Sequence, residues 1–204
     1  MKLYYTPGAC SLSPHIALLE AGLPYDLVKV DLRAKKLENG DDFLAVNPKG
    51  QVPALRLDTG ELVTEGPIIV QMIADKVSAK NLAPARDSAE RYKLLEWLNY
   101  ITTELHKNIG PMYSPVLKDD AKAFFKDRVM GKLKYIDSQL AGRDYLMGKQ
   151  FTVADGYLFT MLIWADRMKF DLSAMPNLTA YKARVAARPK VQEALKREGL
   201  AQAA

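Results

Sequence analysis

The 204-residue sequence predicts an α/β domain followed by an all-α domain. Over the first eighty residues, stretches with the period of a strand alternate with stretches with the period of a helix. From Asp87 onward only helical periods occur, and the breaker-rich run Ala83-Pro84-Ala85-Arg86 separates the two regions. We therefore predict an α/β domain at residues 1–81 and an all-α domain at residues 87–204.

Local signals define the elements of the first domain. The first helix stops at Gly22, and Thr59-Gly60 forms a tight hairpin turn between two apolar stretches. The order is β-α-β-α-β-β-α, with parallel pairing across the first crossover and an antiparallel hairpin at the end. The predicted elements are the strand Lys2–Tyr5, helix Pro14–Ala21, strand Tyr25–Asp31, helical turn Asp41–Val46, strands Pro53–Asp58 and Leu62–Thr64, and helix Pro67–Lys76.

Five helical stretches make up the predicted second domain. Thr152 precedes the third of them, and Asp155 at its third position completes a capping box, which is a folding element without a catalytic role. The five stretches are residues 88–108, 119–141, 153–169, 176–187 and 189–197.

Composition excludes several classes of function. No apolar run approaches the roughly 18–20 residues of a membrane span, and no secretory signal is visible, so we expect a cytoplasmic protein that does not bind membranes. The net charge is +5, but the basic residues are interleaved with acids, which argues against nucleic-acid binding. With one cysteine and two histidines, neither an internal disulfide nor a metal site is expected.

Cys10, the only cysteine, stands where the first strand gives way to the first helix. The unpaired N–H groups of a helix N-terminus favour an anion, so a thiol there tends to present a thiolate. The alternative is a buried cysteine that acts as a small apolar residue.

Two further loops precede structured elements in the first domain. Val52-Pro53 reads as the entrance of an edge strand, and a cis bond there would leave the Val52 backbone free to pair with an extended peptide, whereas an ordinary trans edge proline would not. Glu65-Gly66 precedes a helix, where the acid can accept from a substrate ammonium and the amides can hold a carboxylate. The alternative is an acid that only favours the helix dipole.

The stretch 88–108 has two faces at about 100° per residue. Its core face carries Leu94, Leu98, Ile101 and Leu105. Asn99, Thr103 and His106 fall together on the opposite face, where they either line a cleft or form a solvent-exposed face.

Together these stretches resemble the glutathione transferases, and specifically the bacterial beta class. The resemblance covers the whole chain and is specific as a set, although each motif alone is weak. The matching stretches are Tyr5–Ser11 (Tyr-Thr-Pro-Gly-Ala-Cys-Ser), Asn47–Pro53 (Asn-Pro-Lys-Gly-Gln-Val-Pro), Thr64-Glu65-Gly66, Glu96–Tyr100 (Glu-Trp-Leu-Asn-Tyr) and Phe151–Asp155 (Phe-Thr-Val-Ala-Asp).

The resemblance implies a thioredoxin-like first domain that binds glutathione and a helical second domain that shapes the electrophile pocket. Val52, before a cis-Pro53, would pair with the cysteinyl backbone of glutathione, and Lys35 would reach the glycyl carboxylate. Glu65 and Gly66 would hold the γ-glutamyl end, although many relatives carry serine in place of Gly66. Catalysis would fall to Cys10 and His106, with Tyr5 as a supporting donor. The residues assigned to glutathione are Cys10, Lys35, Val52, Pro53, Glu65, Gly66, Asn99, Thr103, Glu104, Leu105 and His106.

The principal hypothesis is a homodimeric cytosolic glutathione transferase that joins the glutathione thiolate to small hydrophobic electrophiles, with glutathione as co-substrate and no separate cofactor. A second hypothesis makes Cys10 the nucleophile of glutathione-dependent thiol–disulfide exchange or reductive dehalogenation. A third is a non-catalytic protein that binds apolar ligands. Replacing Cys10 by alanine separates the first two, because conjugation should survive and exchange should vanish.

Overall fold

The computed structural model describes residues 1–200, and its internal contacts divide the chain into two compact units. The first unit comprises Met1–Ala83 and the chain from Arg188, and the second comprises Pro84–Ala187. The strands are β1 (Lys2–Tyr5), β2 (Asp26–Asp31), β3 (Lys36–Leu37), β4 (Ala54–Arg56) and β5 (Leu62–Thr64). The helices are α1 (Leu12–Ala21), α2 (Phe43–Val46), α3 (Gly66–Lys76), α4 (Ala89–Tyr100), α5 (Lys107–Ile109), α6 (Asp119–Gln139), α7 (Val153–Arg167), α8 (Pro176–Ala186) and α9 (Pro189–Arg197).

A mixed sheet forms the centre of the first unit. Its strands lie in the order β3-β2-β1-β4-β5 within the described residues. β1 and β2 are parallel, as the first crossover requires, whereas the β1–β4 and β4–β5 pairs are antiparallel. The predicted α/β topology is therefore confirmed, and the short edge strand β3 is an addition that the sequence pattern did not indicate.

Helix α1 is buried almost along its whole length, because α3 and α9 both pack against it. It ends where Gly22 adopts a left-handed φ of 70° and donates its N–H to the carbonyl oxygens of Leu18 and Leu19. The fixed helix positions the loop between β1 and α1, which carries Cys10.

Helix α9 belongs to the first compact unit, although the sequence placed it in an all-α domain at residues 87–204. The Arg188 guanidinium donates from Nε and Nη2 to the two carboxylate oxygens of Glu20, at 2.7 and 2.9 Å. These contacts join the start of α9 to α1. Helical periodicity identifies a helix but not the surface that buries its apolar face. Residues 201–204 of the predicted domain lie outside the described residues.

The second unit is helical, and the apolar helix α7 is largely buried within it. The predicted capping box is confirmed: the Asp155 carboxylate accepts the Thr152 N–H at 2.8 Å. It also accepts from the Leu146 N–H and the Tyr181 hydroxyl, and burial raises the pKa of Asp155 to about 6. Among residues 1–200, no helix is both long enough and apolar enough to cross a bilayer.

The stretch predicted as one helix at 88–108 is divided. A π-helical turn at Ile101–His106 separates α4 from α5, and a 3₁₀ turn at Gly110–Tyr113 follows. The buried Asn108 amide stabilises the wide turn by donating to the carbonyl oxygens of Thr103 and Glu104, both at 3.0 Å. Such turns occur frequently at functional sites.

Candidate active site

The loop between β1 and α1 is held by short hydrogen bonds around Thr6. The Thr6 hydroxyl donates to the carbonyl oxygen of Val30 at 2.8 Å, and the Ala9 N–H donates to the carbonyl oxygen of Thr6 at 3.0 Å. The Ser11 hydroxyl donates to the Thr6 carbonyl and accepts the Thr6 N–H, each at 3.2 Å. The half-buried Cys10 lies in this loop, next to Ser11.

The sulfur of Cys10 lies against the Val52 backbone. Its Sγ atom donates to the carbonyl oxygen of Val52 at 3.2 Å, and the Val52–Pro53 peptide bond is cis, as the resemblance implies. The preceding loop is fixed by the buried Asn47, whose amide donates to the carbonyl oxygen of Gln51 at 2.8 Å. A thiol and an ordered stretch of backbone therefore stand side by side.

Lys35 contacts the same loop at Gly50. Its ammonium donates to the carbonyl oxygen of Gly50 at 2.7 Å, and its stem lies close to the glycine. The neighbouring Lys36 is exposed. Lys35 therefore presents a cation next to the turn that leads into Val52.

Glu65 and Gly66 form the start of α3. Glu65 has a positive φ of 68°, an uncommon conformation for a residue with a side chain, and such strain clusters at functional sites. Its exposed carboxylate accepts from the Lys49 ammonium at 2.7 Å. Gly66 lies next to Pro53, since a Cβ atom on Gly66 would stand 3.7 Å from Pro53 Cγ. The cis-proline and the first turn of α3 are thus direct neighbours.

His106, in the second unit, is packed among aromatic side chains. Its Nδ1 atom is hydrogen-bonded to the Tyr157 hydroxyl at 2.7 Å, and its ring meets the Trp164 ring edge-on at a centroid distance of 5.0 Å. Burial, aided by the nearby Lys107 charge, lowers the pKa of His106 to about 4. At neutral pH the imidazole is therefore uncharged, with one N–H donor and one acceptor nitrogen.

The other residues predicted near His106 fall into three groups. Asn99 and Thr103 are exposed, and the Thr103 hydroxyl donates to the carbonyl oxygen of Asn99 at 3.2 Å. Glu104 accepts from the Lys132 ammonium at 2.9 Å, and this hydrogen bond lowers the pKa of Glu104. Leu105 is fully buried in the core.

His106 departs from the face opposite the core, on which the sequence places it together with Asn99 and Thr103. The π turn adds a residue to one helical turn, which rotates the following side chains by about 100° relative to a regular α-helix. His106 is accordingly half-buried against Tyr157 and Trp164, whereas Asn99 and Thr103 stay exposed.

Comparison with known families assigns the chain as a whole. The N-terminal domain family of glutathione S-transferases matches residues 8–76, and the C-terminal domain family matches residues 103–198. The chain belongs to the glutathione S-transferase family. It is 50% identical to glutathione S-transferase GstA of Escherichia coli O157:H7, an alignment that covers 98% of this chain and 100% of GstA.

Solved structures of similar transferases agree with this assignment. The ternary complex of BphK, a bacterial glutathione S-transferase, is 52% identical, with a TM-score of 0.96 over 98% of this chain and 100% of BphK. A sphingomonad transferase complexed with glutathione is 50% identical, with a TM-score of 0.95 over the same shares. The beta-class transferase of Sphingomonas chungbukensis is 49% identical, also with a TM-score of 0.95 and the same coverage. The present chain is thus a transferase similar to the bacterial beta class.

In the first unit of this transferase, the predicted residues Cys10, Val52, Pro53 and Gly66 are linked by direct contacts. Tyr5 is buried in β1, where burial, with the charges of Glu198 and Glu38, raises its pKa. Its hydroxyl therefore stays protonated at neutral pH and is a donor, not a base.

Sequence reasoning missed Glu198 and assigned no role to Ser11. The Ser11 hydroxyl bonds the Thr6 backbone, and the buried Glu198 carboxylate accepts the Gly8 N–H at 2.8 Å from the far end of the chain. The Ser11 hydroxyl thus does not cap α1, and a contact across 190 residues leaves no trace in local periodicity.

Proposed function

We propose that this transferase conjugates the thiolate of glutathione with small hydrophobic electrophiles. The sulfur attacks the electrophilic carbon, a C–S bond forms, the leaving group departs with its electron pair, and the thiol proton passes to solvent. The observation that supports this most directly is the adjacency of Cys10, the Val52 backbone and Gly66 in the first unit, in a chain 50% identical to a transferase complexed with glutathione.

The proposed contacts of glutathione follow the chemistry of the tripeptide. The Val52 backbone pairs with its cysteinyl residue, and the Lys35 ammonium attracts its glycyl carboxylate. Glu65 accepts from the γ-glutamyl ammonium, while the Gly66 N–H, at the N-terminus of α3, donates to the γ-glutamyl carboxylate. Cys10 and Tyr5 supply hydrogen bonds near the thiolate.

We assign the remaining glutathione contacts to the second unit. Asn99, Thr103, Glu104 and the Leu105 backbone are proposed to contact the tripeptide. His106, uncharged at neutral pH, acts as a hydrogen-bond donor and not as a cation. The rate gain comes from proximity and from a stabilised thiolate.

The proposal extends to assembly and location. We propose a homodimer in the cytoplasm, with glutathione as a co-substrate and without a separate cofactor. An elution volume in gel filtration that matches one chain of 22.8 kDa would contradict the dimer.

The test is glutathione conjugation of 1-chloro-2,4-dinitrobenzene, followed by absorbance and by the mass of the thioether. Turnover above the uncatalysed rate at millimolar glutathione is expected, and its absence would contradict the proposal. The neighbouring lysines give a matched pair of variants: Lys35→Ala should raise KM for glutathione about tenfold through loss of a charged hydrogen bond, whereas Lys36→Ala should not change it.

A further inference from the structure

Glu198, just beyond the end of α9, contacts the loop that precedes Cys10. Its Oε2 atom accepts the Gly8 N–H at 2.8 Å, and its Oε1 atom is hydrogen-bonded to His15 Nδ1 at 2.8 Å. The side chains of Glu198 and His15 are both 0% exposed. One buried carboxylate therefore links α9 to the Cys10 loop and to α1.

The end of α9 holds this carboxylate in place. Gly199 adopts a left-handed φ of 68°, and the Leu200 N–H donates to the carbonyl oxygen of Leu195 at 2.8 Å, which closes the helix. At the other end of α9, Arg188 is joined to Glu20 of α1. The backbone of Glu198 is thus held by the contacts at its own end of α9, separately from the Arg188–Glu20 pair.

Gly8 lies two residues before Cys10, and its own φ of 68° sets the direction of the loop. The loop in turn sets the position of Cys10 Sγ against the carbonyl oxygen of Val52. We propose that Glu198 is a positioning residue for Cys10: by accepting the Gly8 N–H, it keeps the thiol on the Val52 carbonyl. This positioning role rests on the proposed function in one respect only, which is that Cys10 lies beside bound glutathione.

The reactivity of Cys10 tests this without glutathione, because the chain has one cysteine and alkylation by iodoacetamide reports on it alone. A hydrogen bond donated by the thiol favours its neutral form. Glu198→Met keeps the volume and removes the acceptor, so alkylation at pH 7 should become at least about threefold faster, with its pH midpoint moved downward. Arg188→Met breaks the other α9–α1 contact and serves as the control matched in stability.

The conservative variant Glu198→Gln should restore the normal reactivity of Cys10. In Glu198→Gln, the amide oxygen can still accept the Gly8 N–H, which is the contact on which the proposal depends. Its alkylation profile should stay near that of the parent protein. If the methionine variant does not fold, Glu198→Asp, which withdraws the carboxylate by one methylene, takes its place. A variant that lowers Tm as Arg188→Met does and leaves the Cys10 profile unchanged overturns the proposal, whatever the glutathione assay shows.

Discussion

The thiol of Cys10 and the carbonyl oxygen of Val52 are 3.2 Å apart and share a hydrogen bond. The same stretch of backbone is the one we assign to the cysteinyl residue of glutathione. In the proposed complex, one short segment therefore anchors both the protein thiol and the thiol of the substrate.

Replacing Cys10 by alanine should leave conjugation within about fivefold of the parent rate, because a single hydrogen bond contributes about 1 kcal/mol. The nucleophile in the proposal is the sulfur of glutathione, which the substitution does not touch. The kcat for aryl halide conjugation measures this, with Cys10→Ser as a control that keeps a donor at the same position. A complete loss of turnover in the alanine variant would instead make Cys10 the nucleophile.

Substituting Gly66 by serine should lower KM for glutathione about tenfold, because a hydrogen bond to a charged group contributes a free energy of about that magnitude. The structure has room for the side chain, since the new Cβ would meet Pro53 Cγ at an ordinary 3.7 Å. Its hydroxyl would add a donor for the γ-glutamyl carboxylate. Gly66→Ala is the matched control, because it fits equally well and adds no donor. Equal KM values in the two variants would place the carboxylate elsewhere.

Glu65 allows stability to be separated from binding, because its φ of 68° is unfavourable for any residue except glycine. Glu65→Gly and Glu65→Ala both remove the proposed partner of the γ-glutamyl ammonium, so both should raise KM for glutathione. Only glycine removes the strain of the positive φ. The free energy of unfolding of the glycine variant should therefore be about 1 kcal/mol higher than that of the alanine variant. Far-UV circular dichroism during thermal denaturation measures the difference, which the exposed Lys49–Glu65 ion pair does not affect, since both variants lack it.

His106 should make the second unit less stable in acid. Its pKa is about 4 in the folded chain, against about 6.5 when unfolded, so between these values the unfolded chain binds more protons and stability falls as pH is lowered. From pH 7 to pH 5 the parent protein should lose about 2 kcal/mol more than His106→Gln, whose amide does not titrate.

Trp97 and Trp164 both lie in the second unit, so urea denaturation followed by tryptophan fluorescence reports on that unit. Parallel stability curves for the parent and the glutamine variant would show that His106 carries no depressed pKa.

Sequence patterns predicted most of the fold because its elements carry local signals. The alternation in β2, the break at Gly22 and the capping box of α7 are all decided by neighbouring residues, and each was found. The two-residue strand β3 and the π turn at Ile101–His106 are not of this kind. In the π turn, the Asn108 amide donates to two carbonyl groups of the preceding turn. An asparagine within a helical stretch does not by itself indicate that the helix widens there.

The candidate site was predicted by family resemblance more than by pattern. Helix starts and an edge proline indicated Cys10, Val52 and Glu65 as candidates for the site. The residues alone were also compatible, in each case, with a purely structural role. The placement of His106 against Tyr157 was missed because periodicity assumes a regular helix. Glu198 was missed because its two partners lie 190 and 183 positions away.

The return of α9 to the first unit has a consequence for synthesis on the ribosome. Residues 1–83 emerge first, yet Glu198, which is hydrogen-bonded to Gly8 and His15, and Arg188, which pairs with Glu20, are made much later. Until then α1 lacks its packing against α9, the buried His15 lacks Glu198 and the half-buried Glu20 lacks Arg188. The first unit therefore completes its folding after translation of the intervening helices, and a nascent chain halted before α9 would expose this face to chaperones and proteases.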